Sequence, residues 1–248
     1  METEFSRKVE EEAKLLSDGD PRKRLQAIIR LTELALQLPI GEREKIVVQI
    51  GRLATDKEPF VRWNVAIALG KVGYPAAIMI LETMAGDEHA NVRFRVALAL
   101  GLIGHHRGLS VLEKLVNDNY KIGEHFVVRA YVAQAVGKIG HEDGVPMLAK
   151  LANDEDPVVR WHVTVALGDI GDESGVQYLA KLLEDGVPFV RAHAAIALAQ
   201  IGHESGLQHL ERSLRDGVPR VEKIKNESLE LLRALSRGAE YSFVKGWK

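Results

Sequence analysis

The sequence predicts an all-α solenoid, a superhelix of stacked two-helix repeats, and three observations predict it. A Val-Arg pair recurs at Val61-Arg62, Val92-Arg93, Val128-Arg129, Val159-Arg160 and Val190-Arg191, so the arginines step by 31, 36, 31 and 31 residues. Eight residues after each arginine stands Gly70, Gly101, Gly137, Gly168 or Ala199, and three further on Gly73, Gly104, Gly140, Gly171 or Gly202. Between these marks apolar residues recur at three-to-four spacing, as in Val65, Leu69 and Val72 or Val163, Leu167 and Ile170, the period of one helix face. A fixed period of this length marks a repeat array, in which each unit buries its apolar face only against its neighbours.

Each unit opens with a helix A that carries the arginine. Pro59, Pro157, Pro188 and Pro219 mark its start, where a missing N–H costs little, and the second glycine suits the left-handed position that ends it. Helix B follows, with Leu109, Leu112 and Leu115, then Val145, Leu148 and Leu151, then Val176, Leu179 and Leu182. The expected repeats are 20–55, 56–86, 87–118, 125–153, 154–184, 185–215 and a truncated 216–237. The whole of 1–248 reads as one repeat domain: a capping helix in 1–17, repeats over 18–237 and a tail over 238–248. In the capping helix Phe5, Val9, Ala13 and Leu16 share a face. The tail carries Tyr241, Phe243 and Trp247, which either fold back over the last hairpin or offer an aromatic handle. Five extra residues, Asn119 to Gly123, lengthen one inter-repeat loop.

An aspartate precedes most of the arginines by six residues: Asp56, Asp87, Asp154 and Asp185, with Asp118 in the interrupted unit. The expected arrangement is a structural ladder in which Arg62, Arg93, Arg129, Arg160 and Arg191 bond carboxylates and turn carbonyls between hairpins. Glu222 replaces the arginine in the last unit, as a capping repeat allows.

Two further columns are candidate binding surfaces. In helix B, Ile80, Val111, Met147, Tyr178 and His209 lie three residues before Thr83, Lys114, Lys150, Lys181 and Arg212. Residues three apart are helix neighbours, so stacking sets an apolar stripe beside a cationic one, either a groove or packing with a solvated edge. In helix A, Trp63, Phe94, Tyr131 and Trp161 fall off the main apolar face, either as exposed anchors or as packing between A helices.

Composition narrows the chemistry. With 33 basic and 35 acidic residues and a formal charge of −2, the chain lacks the excess that phosphate-backbone binding uses. The absence of cysteine excludes disulfides, thiolate metal sites and a cysteine nucleophile within this chain. No phosphate loop, nucleophile elbow or His-Glu-x-x-His helix occurs, and His162 and His193 recur one per repeat rather than as a ligand set. The expectation is no catalytic residue, no metal, no membrane span and a cytoplasmic location.

The units Asp154 to Leu182 and Asp185 to Leu214, with Asp-x-x-Pro-x-Val-Arg and Ala-Leu-Gly-x-Ile-Gly-x-Glu-x-Gly, resemble the phycobilisome-lyase HEAT-like repeat family over about 18–237. That resemblance implies relatives that include E/F-type phycobilin lyases, a phycobilisome degradation factor and a HEAT protein associated with an iron–sulfur scaffold. It implies a phycobilin as a bound group if the chain is a lyase, and otherwise no cofactor. The partner would be another protein, such as a phycobiliprotein or an iron–sulfur scaffold protein. The reading is a protein-binding scaffold or chaperone; phycobilin lyase or bilin-detaching activity is the alternative, and a HEAT-like DNA glycosylase, disfavoured by the charge, is a third.

Overall fold

The computed structural model describes residues 2–123 and 125–236. The tail aromatics Tyr241, Phe243 and Trp247 lie outside the described residues. The described residues form fourteen α-helices. After α1 (Glu2–Leu15) the A helices are α2 (Pro21–Leu36), α4 (Pro59–Val72), α6 (Ala90–Ile103), α8 (Val127–Ile139), α10 (Pro157–Ile170), α12 (Pro188–Ile201) and α14 (Pro219–Ser236). The shorter B helices alternate with them: α3 (Glu44–Gly51), α5 (Ala77–Met84), α7 (Gly108–Leu112), α9 (Val145–Leu151), α11 (Val176–Leu182) and α13 (Ser205–Arg212). The fold is an all-α helical repeat.

The chain groups into two compact units. Unit 1 comprises Met1–Tyr120 and Val127–Ala135, and unit 2 comprises Lys121–Phe126 and Val136–Lys248. In unit 1, α2 packs on α4 and α4 on α6; in unit 2, α10 packs on α12 and α12 on α14, with the B helices forming a second layer.

Local chemistry explains these boundaries. Asp20 and Asp156 cap α2 and α10, each carboxylate accepting the N–H two residues on, from Arg22 and Val158 at 2.9 Å. Gly73 and Gly171 end α4 and α10 at φ 69° and 72°, a conformation costly for residues with a Cβ, and their N–H groups bond Leu69 and Leu167. The glycines eight residues after the arginines serve packing instead. A Cβ on Gly70 would come 2.7 Å from the Ala99 Cα, and one on Gly137 2.7 Å from that of Ala166, so their absence lets A helices approach closely. Val61, Val65, Leu69 and Val72 of α4 and Val159, Val163 and Leu167 of α10 are buried between the layers.

Two local features depart from plain helical hairpins. The loop insertion forms an antiparallel pair, β1 (Lys121–Ile122) with β2 (His125–Phe126). Buried Asp156 anchors it by accepting the Phe126 N–H at 2.6 Å, and the Lys121 ammonium sits 3.9 Å from the Phe126 ring centroid. At the N-terminus Leu16 is buried, whereas Phe5 and Val9 stay half-buried. These two side chains line a cleft of about 530 Å³ with Leu38 and Ile46, so α1 covers the first hairpin only in part.

Candidate interaction surface

Within each unit the arginines and aspartates form a bonded ladder. Arg24 donates from Nε and Nη2 to Asp56 at 2.7 and 2.9 Å, Arg62 to Asp87 at 2.6 and 3.0 Å, and Arg160 to Asp185 at 2.6 and 2.9 Å. Arg191 reaches Asp216 in the same way at 2.7 and 2.6 Å, and Arg93 bonds Asp118 through Nε. Each Nη1 turns back to the carbonyl six residues earlier, as Arg62 does to Asp56 and Arg160 to Asp154, both at 2.7 Å. One guanidinium therefore fastens its own turn and the next one. Asp56, Asp87 and Asp185 also accept the N–H two residues on, which places them two residues upstream of the helix N-cap.

The electrostatics match that geometry. Burial pushes the Asp87 carboxyl up, but the Arg62 fork and the His89 N–H outweigh it and leave it below the usual range. At the C-terminal edge, Arg191 first of all, then Lys225, hold Asp216 at about 2 against its burial. Lys225 is 2% exposed and donates to Asp216 at 2.8 Å and to the carbonyls of Ser213 and Leu183. Glu222, standing where an arginine would, accepts the N–H groups of Asp216 and Gly217. Lys225 stands three residues after Glu222, where the other repeats carry Val65, Val96, Val163 or Ala194, and the sequence reading gave this in-register departure no role.

The helix B column does not make the open groove that was one of its two readings. Val111 and Met147 are 1% and 4% exposed and belong to the core, and Ile80, Tyr178 and His209 are half-buried. Ile80 fills the space beside Gly51, where a Cβ would meet its Cδ1 at 2.4 Å. Ile80 shows the physical reason: an apolar side chain of one B helix is spent on packing against the preceding one. Lys114, Lys150, Lys181 and Arg212 are exposed, and Lys114 is paired with Glu82 at 2.8 Å.

The A helices carry the more distinctive outer surface. Phe94 is buried rather than partly exposed, a correction, because its ring stacks on Tyr131 of α8 at 5.2 Å and 20°. Trp63, Tyr131 and Trp161 are half-buried. Around them the structure brings out positions to which the sequence reading gave no role: half-buried Phe60, Ile67 and Leu98 in unit 1, half-buried Val158, Val165 and Ile196 with exposed Phe189 in unit 2, and exposed Leu102 on α6. Leu102 apart, which stands nine after Arg93, their signal was an apolar residue two before or five after the repeat arginine in most units.

In unit 2 the Trp161 indole contacts both His162, at 4.6 Å, and His193, at 5.6 Å edge-on. Burial pushes the His162 imidazole pKa down, with Asp156 opposing. The Trp161 Nε1 is buried without a hydrogen-bond partner, and His193 Nδ1 lies 2.7 Å from the Phe189 carbonyl. Turn histidines act as caps: His141 Nδ1 accepts the Asp143 N–H, and His203 Nδ1 that of Ser205. Among the described residues no three or more His, Asp or Glu side chains group as a metal site requires, and no helix is long and apolar enough to cross a membrane.

Comparisons with known proteins agree with this construction. The chain is similar to the complex of CpcE and CpcF of phycocyanin lyase from Nostoc sp. PCC7120, at 17% identity and a TM-score of 0.56, covering 90% of this chain and 94% of that one. An engineered protein aligns at 22% identity and a TM-score of 0.58, over 91% of this chain and 68% of the other. A designed armadillo repeat protein aligns at 18% identity and a TM-score of 0.52, over 75% and 99%. At these identities the likeness is one of fold. No curated protein matches the chain by sequence. HEAT repeats match residues 12–89, 52–123, 123–187 and 166–233, and with its hairpins fastened turn to turn by arginine the chain belongs to the HEAT-repeat family.

Proposed function

We propose that the chain is a protein-binding scaffold or chaperone whose docking surface is the outer side of its A helices. The observation that supports this most is that each unit leaves aromatic and aliphatic side chains incompletely buried on its A helices, Phe60, Trp63 and Leu102 in unit 1 and, separately, Trp161 and Phe189 in unit 2. Large aromatics left partly open on rigid elements are the residues that anchor protein interfaces. The ladder fixes the register of those elements, so a partner meets a preformed surface and little ordering cost is added on binding.

Bilin attachment or detachment is a second reading, favoured by the likeness of fold to a phycocyanin lyase chain over most of its length. There the chain would act by holding bilin and protein acceptor together, with the exposed Lys150 and Lys181 of unit 2 meeting carboxylates. Purification from the native host followed by visible absorption separates the two. A colourless protein with a stoichiometric partner is the expected result, a bilin band supports the second reading, and a chain that elutes alone and colourless contradicts both.

A further inference from the structure

We propose that the outer face of α4 and α6, flanked by Tyr131 of α8, receives an acidic segment of a partner protein, and that Arg95 takes its carboxylate. This deepens the scaffold reading and rests on it. Arg95 differs from the other arginines around it. Arg62 and Arg93 are committed to Asp87 and Asp118, whereas Arg95 forms no ion pair among the described residues. Its guanidinium lies 4.8 Å from the Phe94 ring centroid, and its Nε is buried with no hydrogen-bond partner.

A buried charged donor left unmatched is costly, and a guanidinium held over an aromatic ring loses less freedom when a carboxylate meets it. The surroundings select the same sign of charge. Neither α4 nor α6 contains an aspartate or glutamate, and α8 contains none either. Exposed Lys71 adds a second cation on α4 that pairs with nothing among the described residues. Half-buried Trp63, Ile67 and Leu98 and exposed Leu102 supply apolar surface on the same helices. The matching segment therefore carries carboxylates next to apolar side chains.

The probe is a short fluorescein-labelled peptide alternating glutamate with leucine, read by fluorescence anisotropy against the full chain, beside the same peptide with glutamine. The expected result is that Arg95→Gln, and separately glutamine in the peptide, each weaken binding by on the order of tenfold, the value of one desolvated charge pair at the lower end. Arg95→Lys should recover part of the affinity, because it keeps the charge and loses the fork, and both variants should melt with the wild type. Amide exchange should slow on α4 and α6 when the peptide binds.

No binding by the wild type, equal binding by Arg95→Gln, or protection confined to other helices would overturn the proposal. Concentration-dependent self-association abolished by Arg95→Gln would also overturn it, by making a second copy the occupant. A native partner that co-purifies undiminished with Arg95→Gln leaves the scaffold reading standing and removes this surface, whereas loss of any partner from the wild type removes the scaffold reading itself.

Discussion

Asp216 shows how much one carboxylate can hold in this chain. Its side chain is 1% exposed and receives both Arg191 and the buried Lys225, which together lower its pKa from 3.8 to about 2. A depressed folded-state pKa stabilises the fold above the unfolded value, and that stability is lost as the pH falls through the folded one. The shift corresponds to about 2 kcal/mol at neutral pH, disappearing between roughly pH 4 and pH 2. Urea unfolding across that window should show wild-type stability converging towards that of Asp216→Asn; a constant gap would mean that the carboxylate stays unpaired in solution. Arginine and aspartate were legible in the sequence because both recur in register. Lys225 was overlooked, although a lysine on the column that elsewhere holds Val65, Val96 and Val163 was itself a signal; which groups it meets emerged only where the neighbouring turn closes over it.

Among the elements, contact between adjacent A helices depends on the absence of a side chain at one position. Gly70→Ala would bring a Cβ to 2.7 Å from the Ala99 Cα and 2.9 Å from its Cβ, and since both are rigidly placed, α4 and α6 must separate. The expected loss is about 1–3 kcal/mol, the usual cost of overpacking. Gly86→Ala meets nothing within 4 Å and should change stability by less than about 0.5 kcal/mol. Thermal or denaturant unfolding of the two variants side by side checks this, and equal effects would contradict the close helix approach. The glycine period and the helix-ending role of the second glycine were legible in the sequence, but that the first glycine permits close helix contact emerged only from the neighbour across the gap. The same limit applies to helix B: its three-residue spacing gave both stripes, yet it did not carry the burial of Val111 and Met147.

For the whole molecule, stability should follow the nearest-neighbour rule of repeat arrays, in which an element is as protected as its flanks allow. α4 lies between α2 and α6, and α12 between α10 and α14, so native-state amide exchange should be slowest there. It should be fastest in α1, whose Phe5 and Val9 border an open cleft; uniform exchange along the chain would show global opening instead. The sequence by itself determined the all-α class, the repeat period, the helix ends and which residue types recur in the ladder. These depend on local rules of capping and periodicity that each stretch of chain obeys alone. Only the tertiary structure decided which columns face outward, that Phe94 is covered by Tyr131 and that Arg95 meets no carboxylate among the described residues. Exposure is a property of what packs alongside, and a residue's own spacing does not carry it.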